Sequence, residues 1–148
     1  MILHYLGLDH VGHSLGPAHP RLGEKLQEME DVLLRIGDAL DDNDLLVVSG
    51  DHGMTPEGNH GGNSPLETAT GQIFTRKKNL RKEMKDLSAT NACHQTDICA
   101  TLAELTDSVT PTNCLGVPLE GPLDMFGGNA GGVLRETKRR LERWATAV

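Results

Sequence analysis

The feature that most constrains this 148-residue chain is the run LLVVSGDHGM at positions 45–54. Four apolar residues lead to a serine and a glycine, after which an acid and an imidazole stand side by side. A short apolar run that ends in turn residues is typical of a buried strand. Asp51 and His52 are therefore predicted at the end of a strand, as either a structural pair or part of a metal site.

A second acidic and imidazole cluster lies in the run LDHVGH at positions 8–13. Residues 2–8 are mostly apolar, and we expect them to form a short strand that ends at Asp9. The glycines and prolines between positions 12 and 20 then indicate a loop.

The period of the apolar residues changes after position 21 and predicts a helix with a single apolar stripe. The stripe consists of Leu22, Leu26, Met29, Leu33, Ile36 and Leu40. Residues 41–43 indicate a turn, and the apolar strand at 45–48 follows. A strand, a helix and a strand at this spacing predict a βαβ unit with parallel strands and a right-handed crossover. The expected fold class is therefore α/β.

The rest of the chain gives weaker signals. A glycine-rich loop at 50–62 is followed by a candidate strand at 68–75 and by a polar segment at 77–87, either surface helix or excursion. Thr96 or Asp97 is expected to cap a further helix. That helix is expected to run through Ile98, Leu102 and Leu105. Residues 111–132 are expected to be irregular. A terminal helix is indicated by Leu134, Leu141 and Trp144.

The charge balance argues against a nucleic-acid partner. The chain has 14 Lys and Arg against 21 Asp and Glu, a formal net charge of −7, whereas nucleic acid rewards clustered cations. The three cysteines form no CxxC pair, so cysteine usage leaves the redox compartment open. No stretch approaches the roughly 20 apolar residues of a membrane span, and the first residues do not have the pattern of a signal peptide.

The two strand ends predict a common site, because open α/β sheets bind ligands beyond the carboxyl ends of their strands. Asp9 and Asp51 are expected at that edge, with His13, His52 and His60 close by in sequence. Carboxylate oxygen and imidazole nitrogen are the usual non-thiolate ligands of zinc and also suit manganese. A lone histidine near a strand end is more often structural, but the recurrence of such clusters favours metal binding. The other four histidines are expected to be structural: His4, His10, His19 and His94.

The stretches LDHVGH, VSGDHGMTPEGNHGGNS and QTDICATL together resemble the glycosylphosphatidylinositol (GPI) ethanolamine phosphate transferases of the alkaline phosphatase superfamily. The motifs are most similar to those of the type that modifies the second mannose, with the third-mannose type a close competitor. The resemblance covers about residues 1–119. It implies that these residues are the C-terminal portion of an alkaline-phosphatase-like catalytic domain, with a parallel sheet and flanking helices. Residues 120–148 are then expected to be an irregular segment and a terminal helix.

The resemblance also implies roles for individual residues. Asp9, His13 and His60 would bind one zinc or manganese ion, and Asp51 and His52 a second. Such a pair of metal ions clamps the attacking and leaving oxygens of a displacement at phosphorus. The reaction implied is transfer of phosphoethanolamine from phosphatidylethanolamine to a mannose of the GPI precursor lipid. The family setting is the lumenal side of the endoplasmic reticulum membrane, together with a small stabilising membrane subunit.

One part of the family pattern has no match in this chain. The nucleophilic threonine, and a further aspartate of the second metal site, lie in the family on segments before the matched region, and Thr55 is in the wrong place to replace the threonine. We therefore name no catalytic residue and expect no transferase activity from the chain alone. Three alternatives stay open: a phosphodiesterase, nucleotide pyrophosphatase or sulfatase of the same superfamily, a non-catalytic metal-binding remnant, and an α/β domain whose histidines are only structural.

Overall fold

The computed structural model describes residues 1–83 and 92–125, and the chain divides into two units, Met1–Leu87 and Ser88–Val148. In the first unit, regular structure begins with a helix, α1 (Gly7–Leu15), and residues 1–6 form neither helix nor strand. The side chains of Met1 and Ile2 are 101% and 95% exposed. The predicted strand over residues 2–8 is therefore wrong.

The physical reason is that a strand is stabilised by its neighbours. Within the described ranges no segment shares ladder hydrogen bonds with residues 2–6, and an unpaired strand leaves its backbone groups without partners. The same sequence carries a helical signal, since Leu8, Val11 and Gly12 recur at spacings of three and four and are at least partly buried. Short apolar runs cannot be divided between helix and strand by periodicity alone. Asp9 consequently lies in the first turn of α1 and His13 in its last turn.

The long helix predicted from the apolar stripe is confirmed as α2 (Pro20–Ala39). Proline at its first position fits a helix start, because the missing N–H would have no partner inside the helix. His19 is the N-cap, and its Nδ1 accepts a hydrogen bond of 3.2 Å from the backbone N–H of Arg21. His19 thus has the local structural role that was expected for it.

The apolar run before Asp51 forms the first strand, β1 (Leu45–Ser49). A short helix, α3 (Pro65–Thr68), and a second strand, β2 (Gln72–Arg76), follow. The two strands are antiparallel, with the pairs Leu45↔Arg76 and Ser49↔Gln72 at the ends of the ladder. The candidate strand at 68–75 is thus confirmed only for its second half.

The described residues form a mixed helical and β fold with a two-stranded antiparallel sheet, so the predicted parallel βαβ unit is wrong for them. The predicted parallel partner of β1 was the segment 2–8, which does not form a strand. β1 pairs instead with the next extended segment along the chain. Residues 50–71, hereafter the connecting loop, join the two strands and carry His52 and His60.

The polar segment after β2 forms a surface helix, α4 (Lys77–Glu83). Of the two structures predicted for this segment, a surface helix or an excursion, the helix is therefore confirmed. Its Leu80 is buried beside Gly37 of α2, where a β-carbon would come within 2.2 Å of Leu80 Cδ2. The Lys77 ammonium donates hydrogen bonds to the backbone carbonyls of Leu40, at 2.6 Å, and of Asp38, at 3.2 Å. These bonds satisfy carbonyl groups that the end of α2 leaves without an intrahelical partner.

The second unit contains two described helices, α5 (Gln95–Leu105) and α6 (Glu120–Met125). The N-cap of α5 is His94, and Asp97 binds the helix start from the third position, accepting a 2.8 Å bond from the His94 N–H. The other oxygen of Asp97 accepts from the Val117 N–H at 2.9 Å. The buried Thr101 hydroxyl accepts from the Leu119 N–H at 2.9 Å. The QTDICATL stretch therefore holds the segment before α6 against α5.

Two sequence expectations concern the end of the chain. α6 lies inside the region expected to be irregular, and the predicted terminal helix lies outside the described residues. Across residues 1–83 and 92–125, no helix is both long and apolar enough to cross a membrane.

Two glycines of α2 provide a matched test of the α2–α4 packing. Gly23 has open space where a β-carbon would stand, so Gly23→Ala should raise the free energy of unfolding by about 0.5–1 kcal/mol through helix propensity. Gly37→Ala gains the same propensity but forces Leu80 to move, and we expect it to lower the free energy of unfolding. Chemical denaturation of both variants measures the difference. Equal stabilisation by both would contradict the packing of Leu80 on Gly37.

Candidate metal centre

The first two side chains of the site come from α1. Asp9 and His13 are four residues apart, the spacing that places two side chains on one face of a helix. His13 Nε2 lies 3.3 Å from Asp9 Oδ1, and both side chains are partly exposed. The helix therefore presents the acid and the imidazole together, a role that the sequence analysis had given to the end of a strand.

His52 is placed by the end of β1 and by its own backbone. Its Nδ1 lies 2.8 Å from the carbonyl oxygen of Gly53. A carbonyl only accepts, so this nitrogen carries the proton, and in the neutral ring the lone pair is on Nε2. Nε2 lies 3.9 Å from Asp9 Oδ1 and 3.7 Å from Asp51 Oδ2. A histidine whose second nitrogen donates to a carbonyl has the arrangement commonly found around bound metal ions.

His60 completes the group from the far side of the connecting loop. Its Nε2 lies 3.4 Å from Asp9 Oδ1. Its ring stacks on that of His52, with centroids 3.6 Å apart and planes inclined by 19°, and lies 4.9 Å from that of His13. The carboxylate oxygen of Asp9 is therefore surrounded by three imidazoles from two separate segments of the chain.

Close backbone packing brings α1 to the connecting loop. A β-carbon on Gly12 would lie 2.3 Å from the sulfur of Met54, and one on Gly58 would lie 2.5 Å from the Gly12 carbonyl oxygen. Gly58 also has a φ of +80°, a conformation that favours glycine. The turn is closed by two backbone hydrogen bonds of Thr55: its N–H donates to the Asn59 carbonyl oxygen at 2.8 Å, and its carbonyl oxygen accepts from the Gly58 N–H at 2.9 Å. These contacts place His60 over Asp9.

The donor atoms fit a metal ion. Asp9 Oδ1 is buried without a hydrogen-bond partner, although a carboxylate oxygen away from water ordinarily accepts one. Asp9, His52 and His60 each offer one ligand atom, and these atoms lie within 4.8 Å of one another. Two ligand atoms bound to zinc at a tetrahedral angle lie roughly 3.3–3.4 Å apart. The distances from Asp9 Oδ1 to His13 and His60 match this value, and the distance to His52 is somewhat longer.

The structure brings all five predicted ligands into one network. Asp9, His52 and His60 form its centre, His13 contacts Asp9, and Asp51 contacts His52 from a largely exposed position. How the five divide between one metal ion and two is not decided by these distances and stays a prediction.

The remaining candidates have other surroundings. His4 lies in the segment before α1, and His10 is exposed on α1. Thr55, rejected as a nucleophile, has its hydroxyl oxygen 3.3 Å from the Asn59 N–H, which donates to it. Its role is to shape the turn before His60.

One residue near the site was missed by the sequence reading. Glu67, in α3, accepts hydrogen bonds from the Ser64 hydroxyl at 2.6 Å, the Gly62 N–H at 2.8 Å and the Ser64 N–H at 3.3 Å. The Ser64 hydroxyl bond is the largest cause of a lowered pKa of Glu67, followed by the Gly62 bond. The signal was present in the sequence, since serine followed three residues later by glutamate is a capping box.

The fold and the site together define a mixed α/β protein with a candidate metal centre built from carboxylate and imidazole groups. The model of the type I phosphodiesterase / nucleotide pyrophosphatase family matches residues 1–116, most of the chain, and the chain belongs to this family. The family is generally metal-dependent, which agrees with the donor set around Asp9.

Individual relatives are similar over most of the chain. It is 38% identical over 138 residues to GPI ethanolamine phosphate transferase 2 of Yarrowia lipolytica, a match covering 85% of this chain and 16% of the relative. It is 39% identical to transferase 3 of Schizosaccharomyces pombe, covering 86% and 14%. It is 41% identical to the catalytic subunit of human transferase 2, covering 78% and 12%. The chain thus spans less than a fifth of the length of these curated relatives. No solved structure gives a significant match.

The lowered pKa of Glu67 predicts a stability that depends on pH. A carboxyl whose pKa is lower in the folded state than its ordinary value of 4.5 stabilises the fold fully above that value. The contribution is lost as the pH falls through the folded-state pKa. We expect the difference in unfolding free energy between wild type and Glu67→Gln to shrink between about pH 5 and pH 3, because glutamine does not titrate. Urea denaturation at each pH measures it, and a constant difference would contradict the hydrogen-bond assignment.

Proposed function

We propose that this chain is part of a metal-dependent enzyme that transfers phosphoethanolamine to a mannose of the GPI precursor lipid. The observation that carries the proposal is the cluster around Asp9 Oδ1, where three imidazole nitrogens approach one carboxylate oxygen that accepts no hydrogen bond. The similarity to proteins named GPI ethanolamine phosphate transferases, in a family of phosphoryl-transfer enzymes, supports this reaction over others that a metal site can catalyse.

We assign the ligands to two divalent ions, zinc by preference and manganese as the alternative. Asp9, His13 and His60 hold the first ion, and Asp51 and His52 hold the second. Bound metal ions would neutralise charge on the phosphoryl oxygens and lower the pKa of an attacking hydroxyl. The donor set supports zinc, because carboxylate oxygen and imidazole nitrogen without thiolate are usual in catalytic zinc sites.

The protein groups keep the site ready for a cation. The His52 proton is held on Nδ1 by the Gly53 carbonyl, which leaves Nε2 directed toward Asp9 and Asp51. In that tautomer the Nε2 lone pair of His52 faces the carboxylate oxygens of Asp9, at 3.9 Å, and of Asp51, at 3.7 Å, and cations bound at these groups would relieve the repulsion. The stacked His60 ring restricts how far His52 can turn.

The wider setting follows the same proposal. The donor is phosphatidylethanolamine, the reaction takes place on the lumenal side of the endoplasmic reticulum membrane, and a small membrane subunit stabilises the enzyme. Residues 1–119 belong to the C-terminal portion of the catalytic domain, and the family match over residues 1–116 supports this boundary. In the larger protein we expect an alkaline-phosphatase-like parallel sheet. Within the described ranges β1 pairs with β2 along one edge only, which leaves its other edge for such a neighbour.

A second candidate function is hydrolysis of a phosphodiester or of a nucleotide pyrophosphate. The observation that favours it is the family match itself, since the family description names those activities. Both reactions use the same cluster around Asp9, and they differ in whether a sugar hydroxyl or water accepts the phosphoryl group. A metal-binding remnant without catalysis is the third possibility, and it shares only the metal site.

The metal site can be tested on the 148-residue chain. Titration of zinc into the metal-free protein, in competition with a chelating dye, should show binding that Asp9→Ala and His60→Ala each weaken by at least about tenfold. The estimate follows from outer-shell partners of metal ligands, whose loss already costs 10–100-fold. His10→Ala, on the same helix as Asp9 and exposed, is the control and should bind as wild type does. Absence of binding, or an equal loss in the control, would refute the site.

The reaction can be tested in a chimera. The matched segment of the Yarrowia lipolytica relative is replaced by this chain, and the product is expressed in cells that lack that relative. We expect mass spectrometry to detect GPI precursors carrying ethanolamine phosphate, and His60→Ala in the same chimera to abolish them at equal expression. The His10→Ala chimera is the control for folding. A chimera that hydrolyses bis(p-nitrophenyl) phosphate but modifies no precursor would favour the hydrolase.

A further inference from the structure

We propose that Glu67 is a positioning residue that holds the His52 and His60 segments of the connecting loop at the separation a metal ion requires. The inference rests on the metal site proposed above and concerns a residue that does not itself bind the metal. Three observations lead to it: the bonds that the Glu67 carboxylate accepts, the bond that its backbone carbonyl accepts, and the close packing of Gly62 and Gly53, whose N–H groups donate to these two acceptors.

The carboxylate reaches beyond its own helix. Its Oε2 accepts from the hydroxyl and the N–H of Ser64, which precedes α3. Its Oε1 accepts from the N–H of Gly62 at 2.8 Å, and Gly62 stands two residues after His60. A capping role explains the bonds to Ser64 but does not require the bond to Gly62, which lies outside the capping box.

The backbone of Glu67 binds the other ligand segment. The Gly53 N–H donates to the Glu67 carbonyl oxygen at 2.7 Å, and Gly53 directly follows His52. One residue is thus bonded to the neighbour of each of the two histidines whose rings stack 3.6 Å apart. A change in the position of Glu67 would alter the distance between those rings.

Gly53 and Gly62 are both packed closely against the Leu66–Glu67 segment, so their backbones have little freedom to move. A β-carbon on Gly53 would lie 2.1 Å from the Leu66 carbonyl oxygen, and one on Gly62 would lie 2.7 Å from Glu67 Oε2. Glycine at these two positions lets the chain approach Glu67 directly.

The test compares three variants of the 148-residue chain for zinc affinity, measured by competition with a chelating dye. Glu67→Ala removes all the carboxylate bonds, and we expect affinity to fall by about 10–100-fold, the range for outer-shell partners. Glu67→Gln should lose less, because its oxygen can still accept from the Gly62 N–H while its amide cannot accept from the Ser64 N–H. Glu57→Ala, an exposed carboxylate in the neighbouring turn, should keep wild-type affinity.

A purely structural role would give a different result. If Glu67 only caps α3, its removal lowers the free energy of unfolding of the metal-free protein but leaves the zinc affinity of the folded protein unchanged. Thermal unfolding without metal therefore accompanies each titration. If Glu67→Ala does not fold, Glu67→Asp decides, because its shorter side chain keeps the charge but draws the carboxylate away from the Gly62 N–H, and wild-type affinity in that variant overturns the proposal.

A second measurement separates this inference from the proposed function. In the metal-free protein, the amide of Gly62 should exchange its hydrogen at least about tenfold faster in Glu67→Ala than in wild type. The amide of Gly53, bonded to the backbone carbonyl of residue 67, should stay protected and serves as the internal reference. A wild type that binds no zinc would refute the metal site alone. Unchanged exchange at Gly62 would refute the positioning role.

Discussion

The contact between the backbone of α1 and the turn at Gly58 is the constraint on which the metal centre depends. α1 contributes Asp9 and His13, whereas His52 and His60 come from the connecting loop, so the site exists only while these two parts stay in contact. The contact is made without side chains on either glycine, and a methyl group at Gly58 would meet the Gly12 carbonyl. Met54 fills the space beside Gly12 from the loop side. Even one added methyl group at this contact would force the backbone or a side chain to move, because close-packed interiors have no room for an extra carbon atom.

The cluster is costly for the protein when it holds no cation. A buried carboxylate oxygen without a hydrogen bond is a destabilising feature, and stacking two imidazoles beside it restricts their side-chain freedom. Proteins retain such arrangements mainly where a ligand or a reaction uses them. In the second unit, by contrast, buried Asp97 and Thr101 accept hydrogen bonds from the Val117 and Leu119 N–H groups of the segment before α6. The contrast between the two units supports a functional role for Asp9 and a structural one for Asp97.

Much of the site was predictable from the sequence, and less of the fold. The spacing of residues 22–40 specifies α2 because an apolar stripe with period 3.6 has one simple solution, and the run before Asp51 specifies β1 for a similar reason. The segment 2–8 was misread because strand formation depends on a partner that the local sequence does not encode. The error did not remove Asp9 and His13 from the site, since a helix presents residues four apart together. Glu67 was missed because its role depends on loop contacts with Gly53 and Gly62, and these have no periodic signature.

The antiparallel pairing of β1 with β2 has a consequence for how the chain assembles. The ladder ends at Ser49↔Gln72, so it closes a loop that contains both stacked histidines and Glu67. The entropy lost on closing a loop grows with the number of residues enclosed, and Asp9 is farther along the chain from His60 than the two strands are from each other. By this criterion the hairpin is the less costly contact to form, and it encloses His52 and His60 without requiring α1. Of the two carboxylates of the site, Asp51 is therefore brought in with the hairpin, and Asp9 only with the more costly contact to α1.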